Sequence, residues 1–500
     1  MSDTKRVSDQ EVLTWLKATA DVGARLRIDS RQIEPGDIFV AIKGARVDGI
    51  TFAQVAAAHG AKGILMQDGQ SELPIGPLPR FGVDDLPARL GQIASLYYGE
   101  PSKRLMGIAV TGTNGKTSIS HWISHLMTEM GFGCAAIGTI GCFLKGRRFE
   151  SPALTTPDAV SQQGLLADLL AAGAQAFAVE ASSIGLEQGR LNGTRIHTAV
   201  FTNLTRDHLD YHGTMQAYEE AKARLFDWPD LRCAVINLDD PAGERYAERC
   251  AARGVRVIGY SLEPERATSA TLVARNIRAC EGGTQFELVY KDDAYPIEVK
   301  AIGRYNVSNL LGAAGAALSF GLTPSAVFAA LSQLVPPLGR LQMVRSDDAP
   351  LAVVDYAHTP DALEKAAMAV RDVVNARQGK LWVVFGAGGD RDPGKRPVMG
   401  AVAARCADRV VVTSDNPRTE DPTRIIDDIM AGIEDAACVS VEPDRAKAIE
   451  TAICEADARD VVLIAGKGHE DYQEINGVKH EFSDMESARR AMNERRVRGG

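Results

Sequence analysis

The chain contains 500 residues, of which 45% are hydrophobic and 24% are charged, and its formal net charge is −9. A chain of this length usually divides into about three domains, and the average composition excludes a disordered or membrane-embedded protein. The mild acidity and the lack of a long basic run argue against nucleic-acid binding.

The first 104 residues predict a small α/β domain. The N-terminus, MSDTKRVSDQEVLTWLKATA, lacks the apolar stretch of a signal peptide. The eight cysteines of the whole chain include no CxxC pair, which is typical of reduced thiols in a cytoplasmic protein. Within residues 1–104, the runs DIFVAIKG, AKGILMQ and PRFGV predict strands, and the Ala-rich stretch TFAQVAAAHGA predicts a helix.

Residues 105–337 predict a second domain with a mostly parallel sheet. Its strand-like runs, LMGIAV, AFAVEA, TAVFTN, CAVINL and VRVIGY, are rich in apolar residues, as expected when helices cover both faces of a sheet. The runs FELVYKDD and YPIEVKAI predict further strands, and GLTPSAVFAALSQLVPP predicts the last helix.

Residues 338–500 predict a third, Rossmann-like domain. Four strand-like runs each end in charged residues or glycines: LAVVDYAHTPD, LWVVFGAGGDRD, RVVVTSDNPR and VVLIAGKGHED. Open parallel sheets bind ligands at the carboxyl ends of their strands. We therefore predict a shared ligand site there, with the loop SDNPRTEDP at its rim. The fold class is α/β in three domains.

The segment TGTNGKT, residues 111–117, predicts a phosphate-binding loop between an apolar strand and an amphipathic helix. Glycines let backbone amides approach phosphate oxygens, Lys116 can neutralise phosphate charge, and Thr117 can hold Mg²⁺. The strict GxxxxGK[ST] pattern has Gly where this chain has Val110. We expect ATP or a close relative as co-substrate, bound by Thr111, Gly112, Thr113, Asn114, Gly115, Lys116, Thr117 and Ser118.

The segment HLDYH places His208 and His212 four residues apart, the spacing of a zinc-binding pair on a helix. The flanking residues predict a loop that enters a helix, and no Glu completes an HExxH motif, so zinc is the weaker alternative. His212 is predicted to be structural. The segment YEEAKARLF, considered alone, predicts an amphipathic helix on which Lys222 is exposed to solvent.

The variant TGTNGKT resembles the ATP site of the Mur ligases and folylpolyglutamate synthetases, which join an amino acid to a carboxylate at the expense of ATP. The motifs NLTRDHLDYHGTM, IGRYNVSN, DYAHTPDAL, GGDRDPGKRP and AGKGHEDYQ follow in the order of the Mur ligases that add the third amino acid of the peptide. The resemblance implies one domain each for the UDP-sugar, ATP and the incoming amino acid.

The same resemblance implies a monomeric cytoplasmic enzyme of peptidoglycan synthesis, and hence of cell shape and division. Its small-molecule substrates would be ATP, UDP-N-acetylmuramoyl-L-alanyl-D-glutamate and meso-diaminopimelate, without nucleic acid or membrane insertion. Two Mg²⁺ ions are implied, with Lys116 as a further catalytic residue. Thr117 would serve one ion, and the second would be held by Glu180, His208 and Lys222, the last as N6-carboxylysine formed with CO₂.

Substrate-binding residues follow from matched motif positions. The UDP-muramoyl dipeptide is expected at Ser30, Arg31, Thr155, Thr156, Asp158, Ser182, Gln188 and Arg190. The family pattern has His after the Ser pair, where this chain has Ile184. The far wall of the ATP site, completed by domain closure, is expected at Asn306, Asn309, Arg340, Asp355 and Tyr356.

By the same resemblance, the loop SDNPRTEDP implies selectivity for diaminopimelate, which has two ammonium and two carboxylate groups. Arg418 offers a planar fork for the distal carboxylate, and either Asp415 or Glu470 can accept the distal ammonium. Lysine-adding relatives lack this arginine. The expected ligands are Arg391, Asp415, Asn416, Pro417, Arg418, Gly466 and Glu470.

The sequence is compatible with alternatives for one residue and for the overall function. His358 could assist proton removal from the attacking amine or simply hold its loop. The chain could add L-lysine instead of diaminopimelate, although Arg418 argues against it. It could also be a nucleotide-dependent switch, which would hydrolyse ATP without an acceptor.

Overall fold

The computed structural model describes residues 7–44, 47–69, 78–152, 154–266, 269–280 and 283–499. The chain divides into two compact units. Unit 1 comprises Met1–Tyr260 and Gly312–Val327, and unit 2 comprises Ser261–Leu311 and Phe328–Gly500. Within the described ranges, no helix is long and apolar enough to cross a membrane.

Unit 1 begins with a four-stranded parallel sheet in the order β1-β2-β3-β4. Its strands are β1 (Leu26–Arg27), β2 (Ile38–Ala41), β3 (Gly63–Gln67) and β4 (Arg80–Val83), and its helices are α1 (Asp9–Thr19), α2 (Ala53–Ala58) and α3 (Leu86–Tyr97). Successive side chains of β2 point to opposite faces, and both faces are buried. The predicted small α/β arrangement is confirmed.

The second sheet of unit 1 is mostly parallel, as predicted. Its strands are β5 (Met106–Thr111), β6 (Cys134–Gly138), β7 (Gly141–Leu144), β8 (Arg147–Phe149), β9 (Ala176–Glu180), β10 (Thr198–Phe201), β11 (Cys233–Asn237) and β12 (Arg256–Ser261). The order is β12-β11-β10-β5-β9-β6-β7-β8, and only the pairs that involve β7 are antiparallel within it. The accompanying helices are α4 (Lys116–Glu129), α5 (Ala159–Ala171), α6 (Ser183–Glu187), α7 (Leu209–His212), α8 (Met215–Ala223) and α9 (Pro241–Ala252).

Strand β5 lies between β9 and β10, which both follow it in the chain. The order of strands therefore changes direction at β5. A crevice at the carboxyl ends of the strands forms where the order reverses. The loop after β5 and the residue that ends β9 consequently lie at the same edge of the sheet.

Unit 2 contains an antiparallel meander, a six-stranded sheet and a hairpin. The meander is β13 (Leu272–Cys280), β14 (Gly283–Tyr290) and β15 (Asp293–Val299). The six-stranded sheet has the order β16-β17-β21-β18-β19-β20. Its strands are β16 (Gln342–Val344), β17 (Leu351–Asp355), β18 (Leu381–Phe385), β19 (Arg409–Val412), β20 (Val439–Val441) and β21 (Val461–Ala465), and the hairpin is β22 (Tyr472–Ile475) with β23 (Val478–Glu481).

The remaining helices complete the chain. Two of them include residues of both units: α10 (Arg304–Ser319) and α11 (Pro324–Leu331). The others belong to unit 2: α12 (Pro360–Arg377), α13 (Lys395–Cys406), α14 (Pro422–Met430), α15 (Arg445–Glu455) and α16 (Asp484–Gly499).

The six-stranded sheet is buried on both faces. Leu463 and Ile464 of β21 are adjacent and both fully buried, yet they belong to different hydrophobic clusters. Alternation of this kind explains why the strand sequences are continuously apolar. Strands β17, β21, β18 and β19 are parallel neighbours, so their four charged or Gly-rich ends lie at one edge of the sheet, as the sequence predicts.

Candidate active site

The loop after β5 has the backbone that a phosphate site requires. Gly112 has φ 144° and Gly115 has φ 86°, conformations that favour glycine. A Cβ on Gly112 would overlap the Thr202 hydroxyl, so close approach of the backbones also requires glycine there. Gly115 then leads into α4, whose first turn carries Lys116, Thr117 and Ser118.

The end of β10 holds this loop from behind. The Asn114 amide donates to Asn203 Oδ1 over 3.0 Å, and the Thr113 amide donates to the Asn203 carbonyl over 2.8 Å. Thr202 Oγ1 donates to the Asn114 carbonyl over 2.6 Å. Among the described residues, nothing hydrogen-bonds Thr111 Oγ1 or Asn114 Nδ2, although both atoms are buried. Three hydrogen bonds thus fix the loop against the end of β10.

Two lysines meet at the same carbonyl of this loop. Lys116 Nζ donates to the Gly112 carbonyl over 3.0 Å and to the Thr113 carbonyl over 2.8 Å. Lys222 Nζ, from α8, donates to the Gly112 carbonyl over 2.8 Å. The expectation of an exposed Lys222 is wrong, since only 1% of this residue is exposed. Lys222 lies on the buried side of α8, together with Tyr218 and Ala221.

The surroundings of Lys222 disfavour its charged form. Burial, and next the positive charge of Lys116, hold the pKa of Lys222 well below its usual range. The Tyr218 ring lies beside it, with Nζ 4.3 Å from the ring centroid. The hydroxyls of Tyr218 and Thr113 are 3.1 Å apart, which ties α8 to the phosphate loop. A neutral amine in this position can react with CO₂.

Glu180 ends β9 as a buried carboxylate with 1% exposure. Its Oε1 accepts from the Thr139 amide over 2.9 Å and its Oε2 accepts from the Thr139 hydroxyl over 3.1 Å. A side chain at Gly138 would overlap this carboxylate. Thr139 lies outside the recognisable sequence motifs, so the sequence gives no sign of this contact.

The two histidines of HLDYH occupy different environments. His208 has φ 52° and a side chain that is 45% exposed, with Nε2 3.4 Å from the Asp207 carboxylate. Burial lowers the pKa of His208, and the charge of Lys116 acts in the same direction. His212 is 2% exposed, with Nδ1 3.1 Å from Glu187 and Nε2 3.0 Å from Ser183 Oγ. Both ring nitrogens of His212 therefore have protein partners, which favours the predicted structural role over a zinc pair.

The donor set at this edge fits Mg²⁺. Carboxylate and hydroxyl oxygens are the ligands that Mg²⁺ prefers, and Glu180 and Thr117 are both nearly buried at strand and helix ends. Within the described part of the chain, no group of three or more His, Cys, Asp and Glu side chains could hold a metal ion. Mg²⁺ usually takes one or two protein carboxylates and completes its coordination with water and substrate phosphates, so the lack of such a group does not exclude it.

The residues predicted to bind the UDP-muramoyl dipeptide form a connected network. Thr156 Oγ1 donates to the Glu180 carbonyl over 2.7 Å and lies 2.9 Å from Ser182 Oγ. Arg190 donates to the Thr156 carbonyl over 2.9 Å and to Gln188 Oε1 over 2.8 Å. Thr155 joins through a 3.2 Å hydrogen bond from the Thr139 hydroxyl. Five of the eight predicted positions are thus brought beside the end of β9.

The other three positions have separate partners. Asp158 caps α5 by accepting from the amides of Val160 and Ser161. Ser30 is 6% exposed, in a short 3₁₀ helix. The Arg31 side chain is 83% exposed and pairs with Asp29 over 2.7 Å.

The predicted far wall of the ATP site lies in unit 2. Asn309 Nδ2 donates to Asn306 Oδ1 over 3.3 Å, and Asn306 Nδ2 donates to the Ile302 carbonyl over 2.9 Å. The Arg340 guanidinium lies 4.9 Å from the Tyr356 ring centroid. Asp355 Oδ2 accepts from the Leu341 amide over 2.8 Å. Burial raises the pKa of Asp355, and Arg340 opposes that shift.

The loop SDNPRTEDP is largely buried at its start, since Asp415 is 7% exposed and Asn416 is 2% exposed. Asn416 Nδ2 donates to Glu470 Oε2 over 2.8 Å, which joins the ends of β19 and β21. Asp415 Oδ1 accepts from the Asn416 amide over 2.7 Å, and a Cβ on Gly466 would overlap Oδ2 of Asp415. Asp415, Asn416, Gly466 and Glu470 therefore meet as predicted.

Arg418 has φ 51° and a side chain that is 19% exposed. Its Nη1 donates to the Gly389 carbonyl over 2.7 Å, and its Nε lies 3.3 Å from Glu474 Oε2. Gly389 must be glycine, because a Cβ there would overlap the Pro417 carbonyl. Two anchors thus orient the guanidinium, and no acceptor among the described residues contacts Nη2.

Two other predicted residues are less enclosed. Arg391 is exposed, and its Nη1 donates to the Asp390 carbonyl over 3.2 Å. His358 Nδ1 lies 2.8 Å from the Tyr356 carbonyl, and the His358 carbonyl accepts from Lys395 Nζ over 3.0 Å. These bonds support the loop-holding role for His358.

Sequence reasoning missed two buried cations beside the SDNPRTEDP loop. Arg445 donates to the Ser414 carbonyl over 3.2 Å and to the Ala465 carbonyl over 3.0 Å, and it pairs with Asp484. Lys467 is fully buried and contacts both Asn416 and Glu470. Lys467 lies within the motif AGKGHED, but its position there gives no sign of burial.

Comparison with protein families matches three domain models to consecutive parts of the chain. The Mur ligase family catalytic domain matches residues 24–98, the Mur ligase middle domain matches residues 110–317, and the Mur ligase glutamate ligase domain matches residues 339–468. Together these models account for most of the chain.

Full-length relatives give the same result. The chain is 48% identical to the UDP-N-acetylmuramoyl-L-alanyl-D-glutamate–2,6-diaminopimelate ligase of Pseudomonas aeruginosa, over 93% of this chain and 94% of the relative. It is 46% identical to the ligase of the same name from Pseudomonas putida, over 93% and 94%. A solved structure of a ligase of that name superposes with a TM-score of 0.68 at 40% identity, covering 94% of this chain and 95% of the other. The resemblance and the three-domain α/β class inferred from the motifs are confirmed.

Proposed function

Because the chain belongs to the Mur ligase family, we propose that it is the ATP-dependent ligase that adds meso-2,6-diaminopimelate to UDP-N-acetylmuramoyl-L-alanyl-D-glutamate in peptidoglycan precursor synthesis. One observation carries this proposal: relatives named for this activity are 46% to 48% identical to the chain over nearly their whole length. The geometry at both sheet edges agrees with the chemistry that the reaction needs.

The first chemical step forms an acyl phosphate. The γ-carboxylate of the D-glutamyl residue attacks the γ-phosphorus of ATP, and ADP leaves. Both reactants are anions, so positive groups must offset their repulsion. Lys116 supplies one such charge at the phosphate loop, where the surrounding amides and Thr117, Ser118 and Asn114 bind the nucleotide. Asn306, Asn309, Arg340, Asp355 and Tyr356 are proposed as further ATP-binding residues.

The second step forms the amide bond. The neutral amine of diaminopimelate attacks the acyl carbon, phosphate leaves, and the proton from the nitrogen passes to solvent or a nearby base. Both roles of His358 stay predictions, because the contact of its Nδ1 with the Tyr356 carbonyl leaves Nε2 available as a base. Orientation of the amine toward the acyl carbon is then the main task of the protein.

Mg²⁺ would be held by Thr117 at one site and by Glu180, His208 and a carbamate on Lys222 at a second. When bound, it neutralises phosphate charge during phosphoryl transfer. The low pKa of Lys222 supports the carbamate, because CO₂ reacts with neutral amines only. Thr139 orients Glu180 for this purpose through two hydrogen bonds.

Substrate selectivity is proposed to follow from two groups of residues. Ser30, Arg31, Thr155, Thr156, Asp158, Ser182, Gln188 and Arg190 would bind the UDP-muramoyl dipeptide. Arg391, Asp415, Asn416, Pro417, Arg418, Gly466 and Glu470 would bind diaminopimelate. The anchored guanidinium of Arg418 favours a ligand with a distal carboxylate, which L-lysine lacks.

Further properties belong to the same proposal. The domains would span residues 1–104, 105–337 and 338–500 and bind the UDP-sugar, ATP and the amino acid, respectively. The enzyme would act as a cytoplasmic monomer, without nucleic acid.

Phosphate release with the UDP-muramoyl dipeptide and ATP tests the function directly. We expect release and a tripeptide product only when meso-diaminopimelate is added. Equal turnover with L-lysine would still support ligase activity but would contradict the selectivity assigned to Arg418. Release without any acceptor would favour a nucleotide-dependent switch.

A further inference from the structure

Lys467 is a fully buried lysine whose role the proposed chemistry leaves unassigned. It follows β21 and is 0% exposed. Its Nζ donates to Asn416 Oδ1 over 3.0 Å and to Glu470 Oε2 over 2.8 Å, and lies 5.4 Å from the Tyr472 ring centroid. Complete burial of an ammonium group is costly unless charged and polar partners surround it. Glu470 and Asn416 supply such partners for Lys467.

The first consequence concerns the Asn416 side chain. Its Oδ1 accepts from Lys467 Nζ and from the Glu474 amide, the latter over 2.9 Å. Because two donors contact one atom, that atom must be the amide oxygen of Asn416. The amide nitrogen, Nδ2, therefore points toward Glu470. One Nδ2 hydrogen bonds Glu470 Oε2, and the second hydrogen remains available to a ligand.

The second consequence concerns the Glu470 carboxylate. Its Oε2 accepts from both Asn416 Nδ2 and Lys467 Nζ, each over 2.8 Å. No donor among the described residues contacts Oε1. Glu470 Oε2 is thus occupied by the protein, and Oε1 keeps its capacity to accept a hydrogen bond from a ligand.

We propose that Lys467 is a positioning residue for the acceptor amino acid, acting through Glu470 and Asn416. It fixes the carboxylate and the amide so that one acceptor and one donor point toward diaminopimelate. This inference rests on the proposed function, because it assigns diaminopimelate to the ends of β19 and β21. Lys467 itself does not contact the reacting atoms.

The Lys467→Met variant tests this role by replacing the ammonium with an apolar group of similar length. We expect KM for diaminopimelate to rise by about tenfold to a hundredfold, because Glu470 loses a buried charged partner. The KM values for ATP and for the UDP-muramoyl dipeptide should change by less than about twofold. A purely structural role would instead lower kcat or the amount of folded enzyme without this split.

A double-mutant cycle with Glu470→Gln tests whether Lys467 affects diaminopimelate binding through Glu470. If Lys467 acts through Glu470, Lys467→Met should raise KM for diaminopimelate by less than about threefold when Glu470 is already Gln. Fully multiplicative effects of the two changes would contradict the proposal. So would an unchanged KM for diaminopimelate in Lys467→Met.

Lys447→Met is the matched control. Lys447 also pairs with an acid three residues away, Asp444 at 3.9 Å, but its side chain is 68% exposed. Its substitution should leave all three KM values unchanged. If Lys467→Met does not fold, as judged by thermal unfolding, Lys467→Arg decides: a selective rise in KM for diaminopimelate supports the proposal, and unchanged kinetics overturn it.

The activity of the wild-type enzyme distinguishes failure of the proposed function from failure of the role assigned to Lys467. If it makes no tripeptide with diaminopimelate, the proposed function fails. If it makes the product but the Lys467 variants show no selective change in KM, only the role of Lys467 fails.

Discussion

Lys116 and Lys222 both donate to the carbonyl oxygen of Gly112, over 3.0 Å and 2.8 Å. The two lysines are more than a hundred residues apart in the chain, and the phosphate loop brings their ammonium groups to one atom. Two like charges at such a site repel each other, and Lys222 is the more deeply buried. Burial is the main cause of the lowered pKa of Lys222, and the positive charge of Lys116 is the second cause.

Replacement of Lys222 should abolish ligase activity, because Met and Arg cannot form the carbamate. The wild-type protein in ¹³C-bicarbonate should show a carbamate carbon signal by NMR, and Lys222→Met should lack it. Lys62→Met serves as a control, since Lys62 is about half exposed. A carbamate signal that persists in Lys222→Met would show that the modified lysine lies elsewhere.

The same low pKa makes stability depend on pH. The folded-state pKa of Lys222 lies below 10.5, so between the two values the unfolded chain binds more protons than the folded chain. This group therefore makes the free energy of unfolding rise with pH across that window. Without CO₂, Lys222→Met should be more stable than wild type by about 1–3 kcal/mol near neutral pH. That gain should shrink as pH approaches 10.5, which denaturant unfolding at several pH values can measure.

Gly112→Ala should weaken ATP binding by roughly a hundredfold, because the added Cβ overlaps Thr202 and displaces the phosphate loop. Isothermal titration with ATP measures the effect. Gly131→Ala is a control with a similar backbone strain, since Gly131 has φ 90° and open space around it. It should lose about 1 kcal/mol of stability and keep its ATP affinity. Equal losses of ATP affinity in both variants would contradict the packing argument.

Arg418→Met should raise KM for diaminopimelate by about tenfold to a hundredfold, because a charged hydrogen-bonded contact to the distal carboxylate is lost. KM for ATP should not change. Arg424→Met is a control in the same segment, since Arg424 is exposed on α14. Steady-state kinetics with each substrate varied in turn distinguish these outcomes, and an unchanged KM for diaminopimelate in Arg418→Met would remove Arg418 from the site.

Asp484→Asn should destabilise the protein by about 3–5 kcal/mol, because it leaves the Arg445 charge buried without its partner. Both side chains are 0% exposed, and Arg445 Nε lies 2.7 Å from Asp484 Oδ1. Glu486→Gln, which removes an exposed ion pair with Arg489 on the same helix, should change stability by less than about 1 kcal/mol. Chemical denaturation measures both. A loss below about 1 kcal/mol for Asp484→Asn would show that the buried pair is not needed for stability.

The sequence predicted the parts of the fold that depend on local patterns. Apolar runs located β5, β9, β10 and the four parallel strands of unit 2, because a strand covered on both faces must be apolar throughout. The sequence located the phosphate loop because glycine, lysine and threonine at that spacing rarely occur in another structural role. The meeting of Asp415, Asn416, Gly466 and Glu470 followed from the rule that parallel strands end at one edge.

The sequence could not predict contacts that depend on packing between distant segments. The inward turn of Lys222 depends on the Gly112 carbonyl, which is 110 residues away. The burial of Lys467 depends on Asn416, which is 51 residues away. The shifted pKa values share this origin, since burial is their main cause and helical periodicity alone placed Lys222 in solvent.

A direct competition between acceptors tests the central claim. The enzyme would receive the UDP-muramoyl dipeptide and ATP together with equal concentrations of meso-diaminopimelate and L-lysine, and mass spectrometry would quantify both tripeptide products. We predict product that contains diaminopimelate almost exclusively, formed in equal amount with ADP. Comparable amounts of the lysine product, or ADP formed without either tripeptide, would contradict the claim.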